Sequence, residues 1–261
     1  MTFSPTPENI LWLSFVMAQV AVLGRLAFER LLRVYPVLSI YLLTDAIRFV
    51  VFLFLPSGRK YSAWLFVISQ PVIWVLETCV LIELCLLIFR GHGGLARVGR
   101  WVIALGLAAA FLVSLATAPS TAPVADPNDS LKVLFYYTAV ERTLDIGIVV
   151  FLLIMTIFLA WYPFTLNRNI LIYFAGWTFS FIARSAAVVI PFATGLHITR
   201  TTNLVLEVID LLCMIVWLVL INKAGENAER VSGYNWQPGH REQVRAQLQA
   251  MNEFLNRSQR Q

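Results

Sequence analysis

The sequence predicts an all-α integral membrane protein with seven transmembrane helices, its N-terminus outside and its C-terminus cytoplasmic. Three observations carry that expectation: apolar runs long enough to cross a bilayer, a shortage of charge, and a one-sided placement of Lys and Arg. Of the 261 residues, 59% are hydrophobic and 13% charged, with a mean hydropathy of +0.73. A soluble domain carries about 25% charged residues. The runs are continuous rather than alternating, so helices are expected and not a barrel, because hydrocarbon leaves no other way to satisfy the backbone.

The spans are expected at 10–30, 36–55, 62–89, 101–118, 132–160, 169–192 and 203–222, making residues 1–222 one transmembrane domain. The first run has no Lys or Arg before it, and Arg25, Arg30 and Arg33 follow it. A cleavable leader has its charge in front, so this run is expected to stay as a span with an outer N-terminus. Pro36 opens the second span, where a missing N–H costs nothing. Pro56-Ser-Gly58 closes it, and the third and fifth spans are long enough to tilt or protrude. The Gly-rich Arg90–Arg100 loop, the Pro119–Asp129 loop, Pro163 and Gly195 punctuate the rest.

Orientation follows from the count of basic residues. Arg25, Arg30, Arg33, Arg90, Arg97, Arg100, Arg168 and six more from Lys223 onward fall on one side. Arg59, Lys60, Lys132 and Arg200 fall on the other, thirteen against four. That bias marks the first side as cytoplasmic and points to a multi-pass protein of the plasma (inner) membrane in contact with lipid. It also explains the net charge of +5 without nucleic acid.

Residues 223–261 form a cytoplasmic tail. Lys223–Pro238 reads as a flexible connector, and 240–257 as an amphipathic helix with Val244, Leu248, Met251 and Leu255 on one stripe. Such a helix lies on the inner leaflet or docks on a protein partner. A 3+1+3 arrangement of parallel helix repeats is also suggested. The first and fifth spans end in Tyr-Pro, the second and sixth each hold one Arg, and the third and seventh each hold two acids. The spacing does not hold across the two halves, and chance accounts for the pattern as well as ancestry does.

The informative residues are charges inside spans: Asp45, Arg48, Glu77, Glu83, Glu141, Arg142, Asp145, Arg184, Glu207 and Asp210. Ten isolated charges at helix centres would cost roughly 30 kcal/mol on an insertion scale. They must therefore pair, take up protons or face water. Asp45 and Arg48 are i,i+3, Glu141 and Asp145 i,i+4, and Glu207 and Asp210 i,i+3, so each pair shares a helix face. Asp45, Glu77 and Arg184 fall nearest mid-depth, whereas Glu83 leans inward. All of these except Glu83 are taken as a candidate ligand- or ion-binding set. The competing reading is an Arg–carboxylate network that only fixes packing, but seven carboxylates against three arginines leave acid that packing does not explain. Trp74 and Trp177, at i,i+3 and i,i+7 from Glu77 and Arg184, are candidates to wall a pocket.

Several chemistries are set aside. The three histidines, His92, His197 and His240, lie in loops and the tail, so no span offers ligands for a hydrolytic zinc. The seventh span has no lysine for a retinal Schiff base, since Lys223 sits at its end. No GxSxG elbow is present. Cys79, Cys85 and Cys213 lie in apolar runs and read as small packing residues. No metal site, cofactor or catalytic residue is assigned.

The leading expectation is a small-solute transporter, cation- or proton-coupled, built on the central charges. A heptahelical sensor signalling through its tail is the second, an accessory subunit of a membrane complex the third, and an intramembrane enzyme the last.

Overall fold

The computed structural model describes residues 7–54, 59–90, 129–161, 165–194 and 199–231, with scattered positions elsewhere. Among the described residues six long helices dominate: α1 (Pro7–Phe28), α2 (Pro36–Phe54), α3 (Arg59–Ile88), α4 (Asp129–Trp161), α5 (Arg168–Thr194) and α6 (Thr199–Leu220). A 3-10 turn, Leu31–Arg33, joins α1 to α2, and a short helix, α7 (Lys223–Asn227), follows α6. Strands β1 (Thr165–Asn167) and β2 (Glu229–Val231) pair antiparallel, with Leu166 opposite Arg230.

Among the described residues, five helices contain stretches long and apolar enough to cross a membrane: Ile10–Phe28, Leu65–Ile88, Thr143–Trp161, Arg168–Ala187 and Thr201–Leu220. The helices close into a ring in chain order, α1 beside α2, α2 beside α3, and so on until α6 returns to α1, with α3 also touching α5. The distribution of polarity is the reverse of a soluble bundle. Gln19, Asp45, Gln70, Glu77, Glu83 and Asp145 are buried, while Val72 and Val75 of α3, Leu153 and Ile157 of α4, and Leu212 and Val219 of α6 are exposed. Apolar faces of this extent are not left to water. They are lipid-facing, and the chain is a multi-pass helical membrane protein.

An aromatic column fills the ring. Tyr35 meets Tyr173 edge-on at 5.6 Å between ring centroids, Tyr173 meets Trp217 at 5.8 Å, and Trp217 meets Trp177 at 6.1 Å. Trp177 in turn contacts Tyr41 at 5.2 Å and stacks on Phe181 at 5.1 Å. Gly176 makes room for it: a Cβ there would run into the indole of Trp217.

Glu83, the inward-leaning acid, is an N-cap supplied from another helix. Its two carboxylate oxygens accept from the Val37 N–H at 2.8 Å and the Leu38 N–H at 3.2 Å, and from the Tyr173 hydroxyl at 3.1 Å. As first-turn donors of α2 these N–H groups have no intrahelical partners, and an anion is the strongest acceptor for them.

The connector expected to be flexible is instead structured at its start. Asn222 caps α7 by accepting from the Gly225 N–H at 2.7 Å, and β2 then pairs with the α4–α5 connection through β1. Glu226 gathers three donors: the Tyr35 hydroxyl at 2.7 Å, Asn167 Nδ2 at 2.8 Å and Asn169 Nδ2 at 3.3 Å. Burial and the neighbouring Glu226 carboxylate hold the Tyr35 hydroxyl well above the usual tyrosine range. Arg25 Nε donates to the Ile221 carbonyl at 2.9 Å, satisfying a carbonyl just past the end of α6. Sequence periodicity missed this clamp because it is made by single polar residues far apart in the chain.

Of the expected fourth span, only Trp101, Ala108 and Leu112 are described; they are helical and exposed, and the rest of 101–118 lies outside the described residues. In the tail, Glu242, Gln243, Ala246, Gln247, Gln249, Ala250 and Glu253 are helical and exposed, and the apolar stripe lies outside the description.

Candidate functional site

Each of the six long helices brings one stripe to a common interior. Tyr41, Asp45 and Arg48 are one to two turns apart on α2, and so are Gln70, Ile73 and Glu77 on α3. Trp177, Ser180 and Arg184 repeat the spacing on α5, and Asp210, Cys213 and Trp217 on α6. Residues three, four and seven apart share a helix face. With Trp12 and Phe15 of α1 and Glu141 of α4, these stripes enclose a cavity of about 260 Å³. Asp45 stands nine residues along α2 and Asp210 ten residues before the end of α6. At 1.5 Å per residue both lie about 15 Å from those helix ends, a distance equal to half of a ~30 Å hydrocarbon core.

The cavity wall holds five carboxylates and two guanidinium groups. Both arginines are engaged. Arg184 Nη1 donates to Glu77 Oε1 at 2.7 Å and its guanidinium lies 5.0 Å from the centroid of the Phe181 ring. Arg48 pairs with Asp45 at 3.5 Å and donates to Gln70 Oε1 at 2.7 Å, while Gln19 Nε2 donates to the other Asp45 oxygen at 2.7 Å. Glu77 is 2% exposed and Asp45 4%, burial that a lone carboxylate would not tolerate without such partners.

Among the described residues the remaining three acids hydrogen-bond only to neutral donors. Gln70 Nε2 donates to Glu141 at 2.8 Å, Trp12 Nε1 to Glu207 at 2.7 Å, and the Ser180 hydroxyl to Asp210. The side chain that bridges the two kinds of site is Gln70, whose oxygen faces Arg48 and whose nitrogen faces Glu141. Among the described residues the second oxygen of Glu207 has no hydrogen-bond partner. Among the described residues no three His, Cys, Asp or Glu side chains converge closely enough to hold a metal ion.

Of the residues expected from sequence, Asp45, Arg48, Glu77, Glu141, Arg184, Glu207 and Asp210 all line this one cavity. Asp145 does not line it; it is buried one turn farther along α4, 3% exposed. The side chain of Arg142 lies outside the described residues. Trp177 is part of the wall and Trp74 is not. Glu207 and Asp210 share a helix face yet bind separate donors on α1 and α5. Trp12, Tyr41, Gln70 and Trp217 complete the site, and the heptad-like spacing to a charged neighbour was the signal for all but Trp12.

Comparison with family models, with curated proteins and with solved structures gives no match. The functional reading therefore rests on the cavity itself.

Proposed function

We propose that this chain is a seven-span plasma (inner) membrane protein, N-terminus outside, that binds a small polar solute in its central cavity and passes it across, coupled to a cation or proton. The observation carrying this reading is the 260 Å³ cavity at mid-depth, walled by five carboxylates and two arginines. A purely structural network would consume its charges in pairs. Here three of the five acids have no basic partner among the described residues. On this topology the aromatic column from Trp177 to Tyr35 would lie between the cavity and the cytoplasmic ends, as a closed inner gate would in an alternating-access cycle. The topology is supported by the basic residues, thirteen against four.

The test is uptake into proteoliposomes under a pH or sodium gradient. Asp210→Asn keeps an acceptor for Ser180 and is expected to abolish flux while the protein still folds. Undiminished flux in that variant sinks the proposal.

A second reading, a heptahelical sensor reporting through its tail, is favoured by one observation. The tail starts in a clamp that ties Glu226 and β2 to Tyr35 just ahead of α2, to α5 and to the α4–α5 connection, so movement of those helices would be felt by the tail. Deleting residues 232–261 would then abolish output and leave solute binding intact. The accessory-subunit reading predicts co-purification with a partner at fixed stoichiometry.

A further inference from the structure

One side chain separates the cavity from the surroundings of the bundle. Of the described residues that line the cavity, Trp12 is the most exposed, at 36%. It meets the cavity and the outside at once, so the wall there is a single side chain thick. Trp12 stands two turns before Gln19 on α1, Phe49 one turn past Asp45 on α2, and Glu207 one turn before Asp210 on α6. All three are displaced toward the end of the ring away from the Tyr35–Glu226 clamp. On the proposed topology that is the outer end.

Contacts to both neighbours of α1 hold the indole in place. Its Nε1 donates to Glu207 Oε1 at 2.7 Å. Its ring meets Phe49 edge-on at 5.9 Å between centroids, and Phe15 repeats the contact at 5.5 Å. Between Pro7 and Ala18 the Trp12–Glu207 bond is the one polar tie from α1 to another helix among the described residues, since Ser14 donates back to the Ile10 carbonyl of its own helix. Farther along, α1 is fastened twice, by Gln19 to Asp45 and by Arg25 to the Ile221 carbonyl. Local opening is easiest where such ties are fewest, so the half of α1 that carries Trp12 is the half free to swing. Phe49 also lies with its ring centroid 5.6 Å from the Arg48 guanidinium, which pairs with Asp45 and donates to Gln70. The seat of the indole is thereby joined to the charged wall.

We infer that Trp12 is a gate to the cavity, latched to Glu207 on α6 and seated against Phe49 on α2, and that it opens when the N-terminal half of α1 swings out. This rests on the solute-site reading above and names how a solute is admitted.

Thiol labelling tests it. Cys213 lines the cavity and is 7% exposed, whereas neither Cys79 nor Cys85 lines it. The full chain carrying Cys79→Ala and Cys85→Ala, in detergent micelles, is treated with trimethylammonioethyl methanethiosulfonate, and the modification rate is read by intact mass. Trp12→Phe keeps a ring and removes the donor; it should speed labelling of Cys213 about tenfold, the worth of one hydrogen bond to a charged acceptor. Glu207→Ala should do the same, and the two changes together should be no faster than either alone. Effects that multiply in the pair would overturn the latch. Cys85, 1% exposed, serves as the control in a companion chain carrying Cys79→Ala and Cys213→Ala, and its rate should not respond to Trp12→Phe. Equal acceleration at Cys85 would make Trp12 a packing residue and overturn the gate. So would an unchanged Cys213 rate in both Trp12→Phe and Glu207→Ala; the solute site then still stands if Asp210→Asn abolishes flux, and falls with the gate if it does not.

Discussion

Arg184 reaches from α5 to Glu77 on α3 and donates to it at 2.7 Å, joining the two helices through the middle of the bundle. Removing one partner strands the other in a low-dielectric interior, a loss of about 3 kcal/mol for a buried pair. Glu77→Ala and Arg184→Ala are each expected to destabilise by about that much, and the double variant by less than the sum. A double-mutant cycle in mixed-micelle unfolding reads the coupling. Strict additivity would mean that the pair does not stabilise the fold.

Glu83 acts at the other end of α3, as cap for the first turn of α2. Glu83→Ala leaves the N–H groups of Val37 and Leu38 and the Tyr173 hydroxyl without their acceptor. A cost of about 2 kcal/mol follows from losing a charged cap in a partly buried position. Solute uptake by the folded variant should match that of the unaltered protein, because Glu83 does not line the cavity.

Gly176 allows the closest approach in the aromatic column. Gly176→Ala forces the Trp217 ring to move, and overpacking of this kind costs about 1–3 kcal/mol. Since Trp217 also walls the cavity, the variant should change solute affinity as well as melting temperature. A shift in Tm with no change in affinity would detach the column from the site.

Alkaline stability should report on Tyr35. Its folded-state pKa is raised by burial and by Glu226, so the neutral hydroxyl is the form the fold prefers. Below the unfolded tyrosine value of 10.0 the stabilisation is fully present, and it is lost as pH rises from there through the folded value. Thermal unfolding between pH 8 and 11 is expected to fall more steeply in the unaltered protein than in Tyr35→Phe. Parallel curves would show that Tyr35 is not the linked group.

The tail clamp makes its own prediction. Glu226→Ala removes the common acceptor of Tyr35, Asn167 and Asn169, so amide exchange across β1 and β2 should accelerate while that of α3 is unchanged. Protection that persists would assign the clamp to the β1–β2 ladder alone.

The membrane assignment and most helix limits follow from sequence alone because hydrocarbon imposes a composition and a length on any crossing segment. Pro36 opens α2 as read, and α3 and α4 are long as read, at 30 and 33 residues. The intramembrane charges were also visible one by one, since each is costly wherever its helix sits. Sequence could not say which of them meet. Periodicity places Asp45 and Arg48 on one face, but only packing of α3 on α5 joins Glu77 to Arg184, and only α4 beside α3 puts Glu141 on Gln70. The same limit hid Glu83 as a cap and Glu226 as a hub, for their partners are between 45 and 191 residues away. Local propensity and hydropathy are properties of neighbours in the chain, whereas the pairing of buried charges is a property of neighbours in space. The tertiary structure decided which two cavity acids pair with arginine and which three, among the described residues, do not.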